Sequence, residues 1–534
     1  DKLPERVYPL VLLSSSTSLT FLRFADAIFK AYSLHEDGFA GVIKTVGIWV
    51  PDFPSTHNSL LYPAILHPVF SILSGIDINH QVRITGILIV SFLPLIIYEI
   101  FVKFFDRNTS ILASFLFLFY PFLHYLLGSR DGFAVFFIAM LFFTLFSNEI
   151  NPVLRKAFLI LFAFSIIVSH YGNAYYFMLL LFAATIIAFL VSKNIKAKLD
   201  LAIPVFCSLY FVLTFLWYLY TSVSQNVNWA VGYGEHVFTY LSEFLKPEHS
   251  PALEAVVTKW KFTEEVTKYL ILNNISFIAV GILKLIYDLF KRRKILDEYL
   301  IFALAFSSGL LVFLLPRVMG TPRIFITLSV ILSPFSLLGL SFLLSNFYKF
   351  MRIERKRINY AFFFSIFLLF LLLFGSGFVS SIMEKIADMP FDPTDPARWF
   401  VVPNEYDITA ITWFLYHNAG DERMYADHLY MIDTPIREGE LNGGWPNFPL
   451  VYAGRSVYDM KPFKMLPIRD YLEKDGNVEK GSYIYLGYHN TVYNFIGTIN
   501  EAGEKVPLKT SDYLHLFERE NKIYDNGISL IYRR

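Results

Sequence analysis

The sequence predicts a polytopic α-helical membrane protein with about eleven transmembrane helices and a small C-terminal extracytoplasmic domain of α/β or α+β type. Three observations predict it. The 534 residues are 55% hydrophobic and 17% charged, against about 25% charged in soluble chains. Apolar runs close to the ~20 residues that cross a bilayer recur between residues 7 and 382. After residue 383 the composition turns polar and gains turn residues.

The predicted spans are 7–23, 82–105, 109–127, 132–148, 154–169, 172–192, 199–223, 269–290, 298–315, 324–348 and 359–382. The first contains "LLSSSTSLTF", whose hydroxyls suit packing against protein better than lipid. The stretch "SLLYPAILHPVFSIL", 59–73, holds Pro63 and Pro68 and reads as an interfacial or re-entrant segment. Orientation follows from the basic loops. Placing "KRRK" (291–294) and "KFMRIERKR" (349–357) in the cytoplasm also puts Lys103/Arg107, Arg155/Lys156 and Lys193/Lys196/Lys198 there. That assigns residues 1–383 to a transmembrane domain and 384–534 to an extracytoplasmic one, in a multi-pass protein of the plasma membrane. The outer loops 24–81 and 224–268 are long, the second with amphipathic helices expected. In the C-terminal part, "PNEYDITAITWFLYHNAG" reads as a helix. "RMYADHLY", "GSYIYLGY" and "GISLIYRR" read as strands, with "YDNG" as a turn.

Formal net charge is +1, so bulk charge names no partner and nothing points to nucleic acid. The single cysteine, Cys207, excludes an internal disulfide and a cysteine metal site. The chain begins at Asp1 rather than Met, from which an upstream segment is expected, and no cleavable signal peptide is read. P-loop, H-E-x-x-H and nucleophile-elbow motifs are absent. Paired helix-breaking segments in matching halves, the mark of an inverted-repeat transporter, are absent too.

The topology puts four polar clusters on the outer face: "HED" (35–37), "SRD" (129–131), "SHYGN" (169–173) and "PRVMGTPR" (316–323). Glu36 and Asp37 can take a proton from an acceptor or hold a divalent cation; the plainer reading is a pair of acids at a helix start. Arg130 can fork onto a phosphate beside a further acid, Asp131; the plainer reading is a mutual ion pair with Asp131 as N-cap. His170 lies at a span boundary, where a polar group is costly; the plainer reading is an interfacial His-Tyr anchor. Arg317 and Arg323 flank a five-residue loop and can clamp an anionic head group; the plainer reading is snorkelling to bulk lipid. Taken together, two acidic clusters, two arginine clusters and a histidine on one face suit transfer from a lipid-linked phosphate donor. An enzyme would then hold Glu36 or Asp37 within about 10 Å of the cationic groups.

The stretch "LHEDGFAGVIKTVGIWVPDFPSTHNSLLYPAILHPVFSILSGI", 34–76, resembles the first outer loop of GT-C superfamily glycosyltransferases of the aminoarabinose transferase and protein O-mannosyltransferase type. The shared order is the acidic pair Glu36/Asp37, then Gly47-Ile48-Trp49, then prolines from Pro51 to Pro68. Arg130 with Ala134 and Phe137, Ser169-His170-Tyr171, and "NKIYDNGISLIY" (521–532) resemble a family of archaeal predicted membrane proteins still more closely. The resemblance implies a GT-C-like bundle, a polyprenyl-phosphate sugar donor, and a glycan, lipid or protein acceptor among membrane lipids. It implies Glu36 as catalytic acid or base, with Asp37 the alternative and Asp131 assisting. Arg130, His170, Arg317 and Arg323 are then the donor-phosphate ligands. No cofactor is certain; a divalent cation, Mg or Mn, would draw on Glu36, Asp37 and Asp131. The chain departs from the pattern in carrying Tyr32 where the archaeal family has a further Asp, and it lacks a D-x-D and the oligosaccharyltransferase W-W-D-x-G. The rival expectations are a non-catalytic scaffold of the same fold in an envelope-assembly complex, or a transporter or flippase of lipid-linked precursors.

Overall fold

The computed structural model describes residues 4, 7–30, 49, 56–76, 78–120, 130–192, 202–221, 224–239, 262–292, 298–310, 321–351, 360–375, 378–379, 410, 413–414, 417, 423–426, 464–487, 490–491, 494, 496–499 and 505–534. The helices are α1 (Val7–Lys30), α2 (His67–Ser74), α3 (Ile78–Phe101), α4 (Arg107–Leu118), α5 (Arg130–Leu145), α6 (Pro152–Ser169) and α7 (Tyr171–Ser192). They continue with α8 (Ala202–Tyr220), α9 (Gln225–Thr239), α10 (Phe262–Arg292), α11 (Glu298–Ser308), α12 (Thr321–Phe350) and α13 (Tyr360–Gly375). A described helix overlaps each of the eleven predicted apolar segments. Five described stretches are long and apolar enough to cross a membrane: Ile84–Phe101, Pro152–Ser169, Tyr171–Leu190, Glu265–Leu289 and Arg323–Phe350. The bent pair α8 and α9 makes a sixth if counted as one span. The segment with two prolines is a π-helical turn (Tyr62–Leu66) running into α2.

The chain divides into two compact units, one of residues 1–30, 50–62 and 80–386, the other of 31–49, 63–79 and 387–534. The helical unit starts and stops its helices with ordinary caps. Asp106 caps α4, accepting from the N–H groups of Asn108 and Thr109 at 3.0 and 3.1 Å. Asn151 caps α6 with Pro152 at the first position, where the missing N–H costs nothing. The core of this unit is aliphatic and aromatic, with Ile97, Phe101, Phe142, Phe177, Phe302 and Val330 fully buried or nearly so.

Helices α10 and α12 pack together most closely. Gly281 and Gly339 allow it: a Cβ on Gly281 would run into the Phe335 carbonyl, and one on Gly339 into the Phe277 carbonyl. Small residues at such crossings let backbones approach where lipid supplies no hydrophobic drive. Between them Ser336 Oγ donates to Asn274 Oδ1 at 2.6 Å, both buried. Within α12, Pro334 removes one ladder hydrogen bond, and Tyr299 Oη donates to the nearby Ile331 carbonyl at 2.7 Å.

The second unit holds β1 (Arg423–Ala426), β2 (Lys464–Pro467), α14 (Ile468–Glu473), β3 (Tyr483–Leu486), β4 (Ile496–Ile499), β5 (Lys505–Leu508), α15 (Leu514–Phe517), β6 (Asn521–Asp525) and β7 (Leu530–Arg533). The larger sheet runs β2-β1-β3-β7-β6; β1 is parallel to β2 and β3, and β7 is antiparallel to β3 and β6. Alternation along each strand builds a core on both faces. Met424, Ala426, Tyr483, Tyr485 and Ile531 bury on one side with Ala410 and Phe414. Tyr425, Ile484, Leu486 and Tyr532 bury on the other with Tyr471, Leu472 and Phe517. The predicted turn joins β6 to β7: Asp525 Oδ1 accepts from Gly527 N–H at 2.8 Å, and Gly527 sits at φ +88°. Lys522 beside Asp525 and the Gly527 N–H together hold that carboxyl below its usual range.

Replacing Gly339 with leucine should force α10 and α12 apart and cost about 3 kcal/mol or more. Thermal unfolding and size-exclusion monodispersity of the detergent-purified variant check this; a wild-type profile would contradict the close crossing.

Candidate anion site at three helix starts

The site begins with a helix break. α6 ends at Ser169, and His170 is extended, with φ −157° and ψ 115°. Its Nδ1 accepts from the backbone N–H of Asn173 at 3.0 Å, which satisfies one of the orphan donors in the first turn of α7. The His170 carbonyl accepts the N–H of Ala174 at 2.9 Å. Helix α8 braces the break: Tyr218 Oη donates to the Ile167 carbonyl at 2.5 Å, and Tyr210 Oη to the Ala174 carbonyl at 3.2 Å. The Ile167 carbonyl, in the last turn of α6 where the break leaves acceptors without an intrahelical donor, is thereby bonded.

Asp131 lies in the first turn of α5 and is 2% exposed. Its Oδ1 accepts from Asn173 Nδ2 at 3.1 Å and faces His170 Nε2 at 3.4 Å. Its Oδ2 faces Arg323 Nε at 3.2 Å. Because Nδ1 of His170 holds a lone pair toward the Asn173 N–H, the ring proton belongs on Nε2, aimed at the carboxylate. Arg323 is the third residue of α12, behind Thr321 and Pro322, and 40% of its side chain is exposed. The sequence-level loop between Arg317 and Arg323 is thus shortened from its far end by the start of α12.

The first turns of α5, α7 and α12 meet at one carboxylate. Each helix start carries roughly half a positive charge. Those ends, with Arg323, offset the cost of burying Asp131 and leave the surroundings favourable to an anion. Arg130 extends the cluster: its guanidinium lies over the Tyr171 ring at 5.4 Å, and Tyr171 stacks on His170 at 5.1 Å and 12°.

Three of the four predicted polar clusters therefore come together through Arg130, Asp131, His170 and Arg323. Glu36, Asp37 and Arg317 lie outside the described residues. The partners of Asp131 in this cluster are Asn173, His170 and Arg323, reached across the bundle rather than along its own helix. Asn173 went unrecognised in the sequence; its signal was the three-residue spacing from His170, that of a cap residue to the N–H it bonds.

The predicted cation set fits poorly at its described member. Both oxygens of Asp131 face donors, one of them an arginine, whereas a hard cation needs several oxygen ligands. Among the described residues no group of three His, Cys, Asp or Glu side chains is arranged to hold a metal.

A second polar contact set pins the segment 56–62 to the same unit. Trp217 Nε1 donates to the Ser59 carbonyl at 2.8 Å, and Asn226 Nδ2 to Ser59 Oγ at 2.7 Å. The Tyr62 ring rests on Phe133, two residues beyond Asp131.

Replacing Asp131 with alanine should cost about 1–3 kcal/mol, because it leaves the buried Asn173 amide without its acceptor. Asp131→Asn, which keeps an oxygen, should cost less. Thermal unfolding of both variants checks the order; equal and negligible losses would contradict the node.

Among proteins of curated function, none matches the sequence. The oligosaccharyltransferase AglB of Archaeoglobus fulgidus, solved with an inhibitory peptide and a dolichol-phosphate, superimposes at TM-score 0.54 and 12% identity, over 95% of this chain and 74% of that one. An oligosaccharyltransferase of Archaeoglobus fulgidus solved with Zn and sulfate gives TM-score 0.54 and 13% identity, over 96% of this chain and 77% of that one. ArnT from Cupriavidus metallidurans in the apo state covers 98% of this chain and 97% of its own at 9% identity and TM-score 0.45. At these identities the AglB likeness is one of fold, and the W-W-D-x-G signature stays absent from this chain. The family model of DUF2206, predicted membrane proteins, matches residues 155–532, most of the sequence, and so this chain belongs to the DUF2206 family.

Proposed function

We propose that this chain is an integral membrane glycosyltransferase that moves a sugar from a polyprenyl-phosphate-linked donor to an acceptor at the extracytoplasmic face, with inversion. The observation that carries this reading is Arg323, fixed at Nε by buried Asp131, with 40% of its side chain exposed at the meeting of three helix starts. A fixed, half-exposed arginine beside three positive helix ends suits a phosphate that gains charge as it leaves.

Arg323 contacts the donor phosphate, with Arg130 and Arg317 adding positive charge. His170 has both ring nitrogens turned toward protein groups and is buried, so its part is to hold Asp131. Glu36 takes the proton from the acceptor hydroxyl or amine, and Asp37 is the alternative base. The acceptor oxygen or nitrogen attacks the anomeric carbon, the bond from that carbon to the phosphate oxygen breaks, and the lipid phosphate leaves with the electron pair. A single displacement inverts the sugar and needs no nucleophile from the protein. A divalent cation, Mg or Mn, would have to rely on Glu36 and Asp37, since Asp131 is engaged.

The two ends of the acidic loop support this assignment. Before it, Ser16 Oγ of α1 donates to the Val90 carbonyl at 3.5 Å. After it, Ser59 and Tyr62 are held by Trp217, Asn226 and Phe133. The intervening sequence carries Glu36 and Asp37. In the same reading the apolar helices complete a bundle of about eleven spans. The domain from 384 to 534 lies outside the membrane and binds the acceptor or a partner protein.

Purified protein supplied with a polyprenyl-phosphate sugar should release lipid phosphate and glycosylate an acceptor. Glu36→Gln should lower kcat about 100-fold or more, and Arg323→Ala should raise the donor KM about tenfold. Unchanged rates in both Glu36→Gln and Asp37→Asn would overturn the assignment of the acids; wild-type protein inert toward every such donor would overturn the enzyme reading.

A further inference from the structure

We infer that Asn173 is a positioning residue that sets both the tautomer of His170 and the direction in which Asp131 presents Arg323. The residue acts twice. Its backbone N–H donates to His170 Nδ1 at 3.0 Å, so the ring proton must sit on Nε2. Its side-chain amide donates to Asp131 Oδ1 at 3.1 Å, the same oxygen that His170 Nε2 faces at 3.4 Å. The Asn173 donor on Oδ1, the oxygen that His170 Nε2 also faces, orients the carboxyl group so that Oδ2 lies 3.2 Å from Arg323 Nε. Asn173, His170 and Asp131 are all 1–2% exposed, so water competes little for these bonds.

The chemistry selects asparagine. The side chain must donate to a carboxylate while its own N–H bonds an imidazole three residues earlier. An aspartate of the same shape would set two carboxylates against each other inside the bundle. A serine or alanine would leave Oδ1 to His170 alone and free the carboxyl plane to turn. Either change would swing Arg323 away from its aim while touching no substrate atom.

The test has two arms, and the second rests on the donor reading above. In the first, nitrogen NMR of histidine-labelled full-length protein in lipid follows His170, assigned by the signal lost in His170→Gln. The wild type should show the neutral Nε2–H tautomer. Asn173→Ala keeps the backbone N–H, so the tautomer should persist, but the Nε2–H proton should move downfield as Oδ1 loses its competing donor. A residue that only fills space would leave that proton where it is. In the second arm, binding of a polyprenyl monophosphate in nanodiscs should weaken about tenfold or more in Asn173→Asp, a near-isosteric change. An Nδ1–H tautomer, or an Nε2–H signal unmoved in Asn173→Ala, overturns the inference. Full affinity in Asn173→Asp overturns the coupling to Arg323. A wild type that does not bind the monophosphate overturns the donor reading instead, and the spectra still decide the role of Asn173.

Discussion

A buried carboxylate in an apolar helical bundle must be answered by positive charge, and Asp131 is answered from three directions. Arg323 supplies a full charge, His170 and Asn173 supply N–H groups, and the starts of α5, α7 and α12 supply partial ones. Remove the carboxylate and those ends have nothing to converge on. This single requirement explains features that look unrelated in the chain: a helix that breaks at a histidine, a proline one residue before an arginine, and tyrosines on α8 aimed at backbone carbonyls. The bracing by Tyr218 matters because the break at His170 would otherwise leave the Ile167 carbonyl at the end of α6 without a donor.

The same arrangement separates holding from reacting. Asp131, His170 and Asn173 are sealed in, whereas Arg323 reaches outward. In the proposed reading the buried groups hold the arginine, and the arginine meets the donor phosphate. The reacting acids come, in the same reading, from elsewhere in the sequence, from Glu36 and Asp37, ahead of the segment held at Ser59 and Tyr62. At 12–13% identity to the archaeal oligosaccharyltransferase, the likeness is one of fold.

Much of the helical architecture was legible because apolar length is a strong signal: a described helix overlaps every predicted segment. Loop charge put "SRD", "SHYGN" and "TPR" on one face, which is why their convergence was foreseeable. Which atoms meet was not. Arg323 reads as a loop residue, although Thr321-Pro322 is a helix-start signal. Arg130 and Asp131 are adjacent and read as a mutual pair, yet the partners of Asp131 in the cluster come from α7, α12 and the break at His170. Long-range pairing of that kind leaves no local pattern. In the second unit, β1, β3 and β7 fall within the three predicted strand segments, whereas β2 and β5 each carry a proline that argues against a strand. Both belong where proline is tolerated, β2 at the edge of its sheet and β5 in a two-stranded one.

The central claim is that Arg323, seated on Asp131, receives the donor phosphate. A cryo-EM structure of the full chain in nanodiscs with a polyprenyl monophosphate tests it most directly. The account predicts the phosphate against the terminal amino groups of Arg323, with Nε still on the Asp131 carboxylate. Lipid phosphate bound elsewhere, with Arg323 still turned to solvent, would contradict it.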